Sequence, residues 1–507
     1  MRKKSRKTGL AGWCLFLALM LAASPAFSQT AGVDEFSDFE ELDINQLLNM
    51  QVTSSTKVAQ SVMDSPNAVW VITADDIKRA GYRTVPEALK LAPGVYVAQL
   101  SNNSWVVAMG GFPHGHYTNN ILVMVDGVSV YSGLDGGVQW EDLPVTLDEV
   151  ERIEVVRGPG GVLYGANAVN GVINIITYRP GAGSPGYVIA RGGTQGVMTA
   201  SAAENFSTDD GKFGTRLAVA YDTDDGLGYE NGAHEFGGQQ TLNASSKSRV
   251  AIGDNTNLLF EAGFERSTLD YQRYRSYPDI SRRGERTVFR TRLDQNVGGG
   301  NWYLQAYSNK YIRQTLEAGE WSSFDEVLVQ DLEFQQMVPF EAAGNHKFIY
   351  GGGYRWVEID PSFTLQDPEE KYTIANVYLH DEWALTDRLK FNAGVKWEEN
   401  SLSDPTWQWR GAMIYRPVPN HSFRLGAANA YRSPSIAEFY YYEEIWPLPV
   451  VPGLLPPPGW VGPWVYGTVI GDENLDPEEV ISYEVGYRGV FAEKVVLDLT
   501  YAYREYD

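Results

Sequence analysis

The glycine-rich stretch at residues 157–177, RGPGGVLYGANAVNGVINIIT, is the first candidate for a chemical role, because glycine-rich turns beside strands often hold phosphates. A phosphate-binding loop requires GxxxxGK[ST], or GxGxxG at the start of a helix. No lysine follows these glycines, and Gly171–Thr177 is a β-branched run that predicts a strand, so no helix N-terminus is expected. We therefore interpret the glycines as tight turns and points of close backbone packing, not as a nucleotide site.

Two further patterns in the sequence could indicate chemistry. His114 and His116 could bind a metal ion, but two histidines without a third ligand are usually solvated loop residues. Serine, histidine and aspartate are present, yet neither GxSxG nor HExxH occurs. The sequence thus predicts no enzyme, no metal site and no cofactor.

The N-terminus has the pattern of an export signal. A basic RKKSRK segment precedes an apolar run at residues 10–23 and then SPAFSQT, which predicts a signal peptide over residues 1–28. An N-terminal membrane anchor is the alternative, but about 14 apolar residues are too few to cross a bilayer, which needs roughly 20. Cleavage removes Cys14, the only cysteine, together with five basic residues and no acidic one, so the formal charge moves from −23 to −28. Disulfides and thiol catalysis are then excluded, and such a chain is a poor nucleic-acid binder.

Residues 42–180 have the pattern of a small mixed α/β domain. We expect a strand at 67–73, a helix Ala74–Ala80 capped by Thr73, and a second helix from Thr84 to about Leu91 with a capping-box spacing. An Asp126-Gly127 turn between alternating runs predicts a hairpin. A short helix at 147–152 and a strand at 153–156 are expected to lead into the glycine-rich stretch.

After Gly186 the pattern changes to strands and turns, and no run of 18 apolar residues predicts a transmembrane helix. Residues 390–397 alternate between an apolar set that includes Val395 and a polar set that includes Lys396, and residues 495–504 repeat this pattern. About 15 such strands are expected by residue 507. A soluble sandwich gives the same alternation, whereas terminal aromatic residues such as Trp397 favour a membrane β-barrel.

Five segments, in order, resemble TonB-dependent outer-membrane receptors of the siderophore and vitamin B12 type. They are ADDIKRAGYRTVPEALKLAPGVYV, ILVMVDGVSVY, RIEVVRGPGGVLYGANAVNGVINIIT, VYLHDEWALTDRLKFNAGVKW and YRSPSIAEFY with ENLDPEEVISYEVGYRG. The resemblance implies a membrane β-barrel of the 22-stranded type with an N-terminal α/β plug domain in its lumen. It implies a signal peptide over 1–28, an N-terminal extension over 29–56, a plug over 57–180 and a partial barrel over 181–507. Because an open barrel leaves edge groups unpaired in lipid, about seven further strands are expected beyond Asp507.

The resemblance assigns the glycine-rich motif to packing of the plug against the barrel. The residues concerned are Glu154, Arg157, Gly158, Gly160, Gly161, Gly165, Asn170 and Gly171. Glu154 and Arg157 are expected either to form a plug-to-barrel ion pair or to be a solvated charge pair. The family's Arg-Gly-Phe triplet before the central hairpin is replaced here by Gly110-Gly111-Phe112, preceded by Met109, so the function of that arginine is in doubt.

The resemblance also implies a TonB box, a short segment that pairs with the protein TonB by strand addition. The candidate residues are Asn49, Met50, Gln51, Val52, Thr53, Ser54 and Ser55. A plain linker or a first plug strand is the alternative. Upstream, the acidic residues 36–48 could form a short amphipathic helix of unknown partner.

Ligand is expected at the plug apex and the outer loops. The apex candidates are Phe112, His114, His116 and Tyr117, and the loop candidates are Tyr440, Tyr441, Tyr442, Trp446, Trp460, Trp464 and Tyr466. Exposed aromatic rings offer flat contact surfaces for a ligand. The alternative is that the loop folds on itself and packs its own aromatic side chains. The implied function is energised uptake of a bulky solute such as a metal chelate or cobalamin across the outer membrane, with TonB and lipid as partners. A passive porin, or a sugar- or peptide-specific transporter, is the alternative.

Overall fold

The computed structural model describes residues 51–58, 60–101, 104–111, 119–181, 184–226, 238–271, 280–317, 320–361, 370–440, 442–445, 467–492 and 495–507. The predicted signal peptide at 1–28, the acidic segment at 36–48, Asn49 and Met50 lie outside them. We call residues 51–181 the plug region and the sheet that follows it the large sheet.

The described residues of the plug region form eleven short strands, two α-helices of more than one turn, Ala74–Ala80 and Val85–Leu89, and a single α-helical turn at Gly161–Tyr164. The strands are β1 (Gln51–Val52), β2 (Gln60–Ser61), β3 (Ala68–Thr73), β4 (Val95–Ser101), β5 (Ser104–Met109), β6 (Ile121–Val125), β7 (Val128–Ser129), β8 (Tyr131–Ser132), β9 (Gly137–Val138), β10 (Val150–Arg157) and β11 (Gly171–Thr177). The central sheet has the order β3-β10-β11-β6-β7, in which β11 and β6 are parallel and the other pairs are antiparallel. The remaining strands form two-stranded pairs.

The local signals of the plug region act as the sequence predicts. The hydroxyl oxygens of Thr73 and Thr84 each accept a hydrogen bond from the backbone N–H of the third helical residue. The carboxylates of these third residues, Asp76 and Glu87, accept a hydrogen bond from the backbone N–H of the capping threonine. Both helices therefore begin with a capping box. The predicted hairpin forms at Asp126-Gly127, where both residues have positive φ, 50° and 84°.

Two boundaries differ from prediction. The second helix ends at Leu89, short of the expected Leu91. The helix expected over 147–152 is wrong: only Leu147–Glu149 form a 3-10 turn, and β10 already begins at Val150. Val150 is fully buried and pairs with Thr177 of β11, so strand pairing extends the sheet at the expense of the helix.

An apolar core lies under the central sheet. Ile72, Val123, Ile153, Val155 and Ile173 are fully buried there, and both helices contribute side chains to the same cluster. This core gives the plug region internal stability of its own, by the burial of apolar surface.

In the described part of the chain, the large sheet has fifteen antiparallel strands, and a separate pair is formed by β25 (Tyr442–Ile445) and β26 (Gly467–Ile470). The fifteen are β12 (Tyr187–Gly192), β13 (Met198–Ser207), β14 (Phe213–Asp224), β15 (Gln239–Ile252), β16 (Thr256–Tyr271), β17 (Ile280–Val297), β18 (Gly300–Glu317), β19 (Glu320–Glu341), β20 (Asn345–Asp360), β21 (Lys371–Thr386), β22 (Leu389–Asn400), β23 (Ser403–Val418), β24 (His421–Arg432), β27 (Glu478–Phe491) and β28 (Val495–Tyr506). Each pairs with the next along this order, and β24 pairs with β27 across a long connection that contains the helix Ile436–Tyr440.

The two faces of the large sheet have opposite polarity. On the face away from the plug region, large apolar side chains are exposed, for example Val395 at 37 % and Trp407 at 61 %. On the other face, polar side chains such as Lys396 and Gln408 are buried at 3 % and 0 % exposed. A soluble sandwich would bury the apolar set, so this arrangement favours the predicted membrane β-barrel. Within the described residues, no helix has both the length and the apolar composition needed to cross a membrane.

Candidate functional site

The segment that holds the described part of the TonB-box candidate is bound to the plug region. Gln51 and Val52 pair with Ser61 and Gln60 as β1 and β2, and Val52 is fully buried. The next two residues donate their backbone N–H groups to Oε2 of Glu154, at 3.0 Å from Thr53 and 2.9 Å from Ser54. A partner strand can therefore pair with these residues only after the plug region has released them.

The structure corrects both expectations for Glu154. Its carboxylate is fully buried, so it is not part of a solvated pair, and its cationic partner is Arg152 of the same strand, whose Nε donates to Oε1 at 3.0 Å. Glu154 lies on β10, between β3 and β11, and its carboxylate accepts the N–H groups of Thr53 and Ser54. The sequence singled out this residue, but its observed partners belong to the plug region.

Side-chain hydrogen bonds also hold the following residues. Asn174 Nδ2 donates to Ser54 Oγ at 3.0 Å, and Ser55 Oγ lies 2.8 Å from Ser65 Oγ. Ser54, Ser55 and Thr56 are all buried. The segment is thus folded onto the plug region over its whole described length.

Lys57 then joins this segment to the large sheet. Its ammonium group forms an ion pair with Glu333 of β19 and lies over the rings of Tyr164 and Tyr378, at 5.1 and 5.2 Å from their centroids. Its φ of 58° is in the left-handed region, which is uncommon for a residue other than glycine. The ion pair spans 276 positions in the sequence, so no local pattern predicts it.

A cavity of about 640 Å³ lies between the plug region and the large sheet, beside this segment. Thr53, Lys57 and Tyr164 line it on the plug side, and strands β15 to β22 contribute its opposite wall. The segment that a partner would pull is therefore also part of the cavity wall.

The cavity wall is charged, and acids and bases on it are paired. The pairs are Lys57–Glu333, Lys247–Asp126, Arg290–Glu261, Arg292–Asp294, Arg355–Asp331 and Lys396–Glu398. Burial alone would raise the pKa of the Asp126 carboxyl, but the Lys247 ammonium, 2.5 Å away, and the nearby Arg290 guanidinium hold that pKa below its ordinary value. Asp126 therefore remains ionised.

Near the long connection after β24 the cavity is lined by side chains of an apolar cluster. Leu134 of the plug region packs among side chains of β19 to β21 and Ile436. The backbone N–H of Ile436 donates to the carbonyl of Gly133 at 3.0 Å. The ligand candidate Tyr440 lies within the described residues, and its side chain is half-buried against the same apolar cluster.

The glycine-rich motif lies close to the large sheet and to its own neighbours. A Cβ would meet Glu484 at Gly158, Val172 and Ala168 at Gly160, Gln408 at Gly161, Glu398 at Gly165 and the carbonyl of Val156 at Gly171. Contrary to the sequence expectation, Gly161–Tyr164 form one helical turn, which is too short for an anion site. Ala166 donates its N–H to Glu398 Oε1 at 2.9 Å, so this turn is held by the large sheet.

Asn170 and Arg157 lie at the same boundary. Tyr506 of β28 donates to Asn170 Oδ1 at 2.7 Å. Burial lowers the pKa of Arg157, while the carboxylate of Asp498 opposes that shift. No ion pair to Arg157 is formed within the described part of the chain.

Sequence reasoning missed the strongest charged contacts between the two parts. Arg216 of β14 forms a buried two-point ion pair with Glu149, at 2.6 and 2.8 Å. Asp142 accepts hydrogen bonds from Ser267, Arg282 and Tyr311, each at 2.5 Å. These partners are separated by 67 to 169 positions, and only the folded chain brings them together.

No site can be built from the remaining ligand candidates within the described residues. Phe112, His114, His116, Tyr117, Tyr441, Trp446, Trp460, Trp464 and Tyr466 lie outside the described residues, and Tyr442 is defined only as the first residue of β25. The described residues contain no group of three or more His, Cys, Asp or Glu placed to hold a metal ion.

Comparison with protein families gives two matches, in the order of the two parts. Residues 61–172 match the TonB-dependent receptor plug domain, and residues 186–507 match the TonB-dependent receptor-like β-barrel. Similar proteins include a vitamin B12 transporter of Photobacterium profundum, 23 % identical over 93 % of this chain and 71 % of the relative. Another is an iron-regulated outer membrane virulence protein of Vibrio cholerae, 23 % identical over 92 % of this chain and 68 % of the relative.

Solved structures show the same fold. The siderophore receptor PirA from Acinetobacter baumannii aligns with a TM-score of 0.72 at 16 % identity, over 86 % of this chain and 70 % of the receptor. A ferric enterobactin receptor mutant from Pseudomonas aeruginosa, in complex with enterobactin, aligns with a TM-score of 0.69 at 19 % identity, over 87 % and 72 %. This protein therefore belongs to the TonB-dependent receptors, outer-membrane β-barrels that carry an N-terminal plug and serve as receptors and transporters.

Proposed function

We propose that this protein binds a scarce, bulky solute at the cell surface and imports it with energy delivered by TonB. The names of its relatives, which include vitamin B12 transporters and siderophore receptors, support a cobalamin or a ferric siderophore as the solute class. In this proposal residues 1–28 are the export signal, 29–56 carry the TonB box, 57–180 are the plug and 181–507 belong to the barrel.

The observation that carries the proposal is the position of the segment 51–57. It is held by Glu154 on the plug and by Glu333 on the barrel wall, and it lines the cavity between the two. A pull on this segment acts on both parts at the point where a path would have to open.

The proposed sequence of events follows from the hydrogen bonds. TonB adds a strand to residues 49–55, for which the bonds from Thr53 and Ser54 to Glu154 must first break. Traction on the freed segment then separates Lys57 from Glu333 and enlarges the cavity. No bond of the solute is made or broken.

The test is energised uptake by the substitution Val52→Pro, compared with Val52→Ile. Proline removes a backbone N–H and hinders strand addition, whereas isoleucine keeps the extended backbone. We expect Val52→Pro to bind labelled cobalamin or ferric siderophore as the natural protein does, but to take it up no faster than cells without TonB. Val52→Ile should retain uptake.

Because Val52 is buried, surface binding and passive leakage of a large antibiotic are measured on the same cells to show that the plug is seated. The proposal is wrong if uptake by the natural protein is unchanged in cells without TonB. A Val52→Pro variant with intact binding and full energised uptake would exclude the segment 49–55 as the TonB box.

A further inference from the structure

The plug segment that ends at Gly110 has a barrel arginine where a side chain of its own would be. Gly110 has φ +66°, and a Cβ built on it would collide with the Arg504 guanidinium of β28. That guanidinium donates from Nη1 to the carbonyl of Gly110 at 3.0 Å. The barrel therefore supplies a cation at a position where the plug has none.

The same guanidinium is anchored on the barrel side. Its Nη2 donates to Oε1 of Glu484 on the neighbouring strand β27 at 3.2 Å, and both side chains are largely buried. Glu484 in turn lies against Gly158, where a Cβ would be 2.5 Å from its Oε1. Arg504 thus connects β5 of the plug, through Glu484, to the turn that follows β10.

A third contact with this part of the plug is made by Tyr506, at the end of β28. Tyr506, two residues after Arg504 on the same face of β28, donates to Asn170 Oδ1 at 2.7 Å and lies 3.5 Å from the Gly110 carbonyl. Three separate plug segments, at Gly110, Gly158 and Asn170, therefore meet one pair of barrel strands.

Gly110 lies at the centre of these contacts. Set beside the Arg-Gly-Phe triplet that the resemblance implies, Gly110-Gly111-Phe112 has a glycine where that triplet has its arginine. The guanidinium of Arg504 occupies the position that a Cβ at residue 110 would need.

We propose that Arg504 is a positioning residue that seats the plug: it supplies from the barrel the guanidinium that the plug lacks at position 110, and it holds β5 against β27 and β28. The guanidinium donates to the Gly110 carbonyl and to Glu484 through two different nitrogens held in one plane, so a lysine, with a single nitrogen, does not reproduce this geometry. Local opening of β5 is then controlled by a barrel side chain.

The test is hydrogen exchange of the peptide that contains Ser104–Met109, in detergent, without solute or TonB, so that its result does not depend on the proposed uptake. Charge-assisted hydrogen bonds of this kind predict about ten-fold faster exchange in Arg504→Ala, or about 1.4 kcal/mol of opening free energy. Arg504→Lys should lie between the natural protein and Arg504→Ala. The matched control is Arg266→Ala, which removes an exposed guanidinium paired with Glu285 and should leave this peptide unchanged.

Placing an arginine at residue 110 of the plug tests whether a guanidinium from either side can hold β5. Gly110→Arg alone should speed exchange, since two guanidinium groups would compete for one space. In Gly110→Arg combined with Arg504→Ala, the new side chain can reach Glu484, so exchange should be slower than in Arg504→Ala, although the positive φ prevents full recovery.

Two results would overturn the inference. One is exchange of Ser104–Met109 within two-fold of the natural protein in Arg504→Ala, checked in Arg504→Gln if the alanine variant does not assemble. The other is a double variant that exchanges as fast as Arg504→Ala or faster, which would show that the guanidinium at this place does not hold β5.

Discussion

The plug is held differently on its two flanks. Toward β12 to β18 its acidic side chains face basic side chains of the barrel, as in Glu149 with Arg216 and Asp135 with Arg313. Toward β23 to β28, Arg416 still faces an acidic plug residue, Asp64, but three other barrel arginines reach neutral plug groups. Arg488 donates to the carbonyls of Val62 and Val69, Arg410 to the amide of Asn67, and Arg504 to the carbonyl of Gly110.

The difference teaches where the plug can yield. Loss of a barrel base on the first flank leaves a buried carboxylate without its counter-charge, which is costly. Loss of Arg410 on the second flank leaves the neutral amide of Asn67 as its plug acceptor, which costs less. In the pair Lys57–Glu333 the base lies on the plug and the acid on the barrel, the reverse of the Glu149–Arg216 and Asp135–Arg313 pairs on the first flank. Lys57 belongs to the segment that TonB is proposed to pull.

The largest effect is expected for Arg216→Ala. Arg216 is 1 % exposed and forms two bonds with Glu149, so its removal should destabilise the seated plug by about 3–5 kcal/mol. Chemical unfolding in detergent, followed through plug tryptophans, measures the change. Arg216→Ala combined with Glu149→Gln should recover part of the loss, because no carboxylate is then left unpaired; no recovery would argue against a stranded charge.

A smaller effect is expected for Arg410→Ala on the second flank. Its Nη2 donates to Asn67 Oδ1 at 2.6 Å, and Asn67 is neutral, so the expected loss is about 1.5–3 kcal/mol in the same unfolding measurement. The contrast between the flanks fails if this loss equals or exceeds that of Arg216→Ala.

The reversed pair should control release of the N-terminal segment. Lys57→Glu places two carboxylates together and should raise the fraction of released segment by about 5–30-fold, which corresponds to about 1–2 kcal/mol. A spin label or a protease site near residue 51 reports the release. Lys57→Glu with Glu333→Lys should return it toward the natural level, and a double variant as open as the single one would show that the charge pair does not hold the segment.

A further effect, seen through pH, concerns Glu141 on the first flank. Burial raises the pKa of the Glu141 carboxyl to about 7, against the opposing effect of Arg282 and with a further contribution from Asp142. The folded state then keeps a proton that the unfolded chain loses above its ordinary value of 4.5, so this stabilisation is complete below pH 4.5 and is lost as the pH rises through about 7. Glu141→Gln should flatten that part of the stability profile; an unchanged slope would exclude Glu141 as its source.

The sequence predicts the features that neighbouring residues determine. Capping boxes at Thr73 and Thr84 and the turn at Asp126-Gly127 are encoded within four residues, and the strand alternation at residues 390–397 identifies which side chains face outward. The expected helix at 147–152 failed because strand pairing with β11 overrides a weak local preference.

The partners of the site could not be predicted in this way. Glu154 meets Thr53 and Ser54 across about 100 positions, and Arg504 meets Gly110 across 394. Spacing carries no information over such distances. The missing arginine at position 110 was visible in the sequence, but only the folded barrel shows what fills its place.

The pairing of β3 with β10 also has a consequence for assembly. Thr73 lies opposite Arg152, so the chain must close a loop of nearly 80 residues before the central sheet can form. A chain that emerges N-terminus first exposes the apolar strand AVWVIT of β3 until β10 and β11 arrive. Such high contact order predicts slow folding and dependence on a holding chaperone during export, with the plug completed only after Thr177 has emerged.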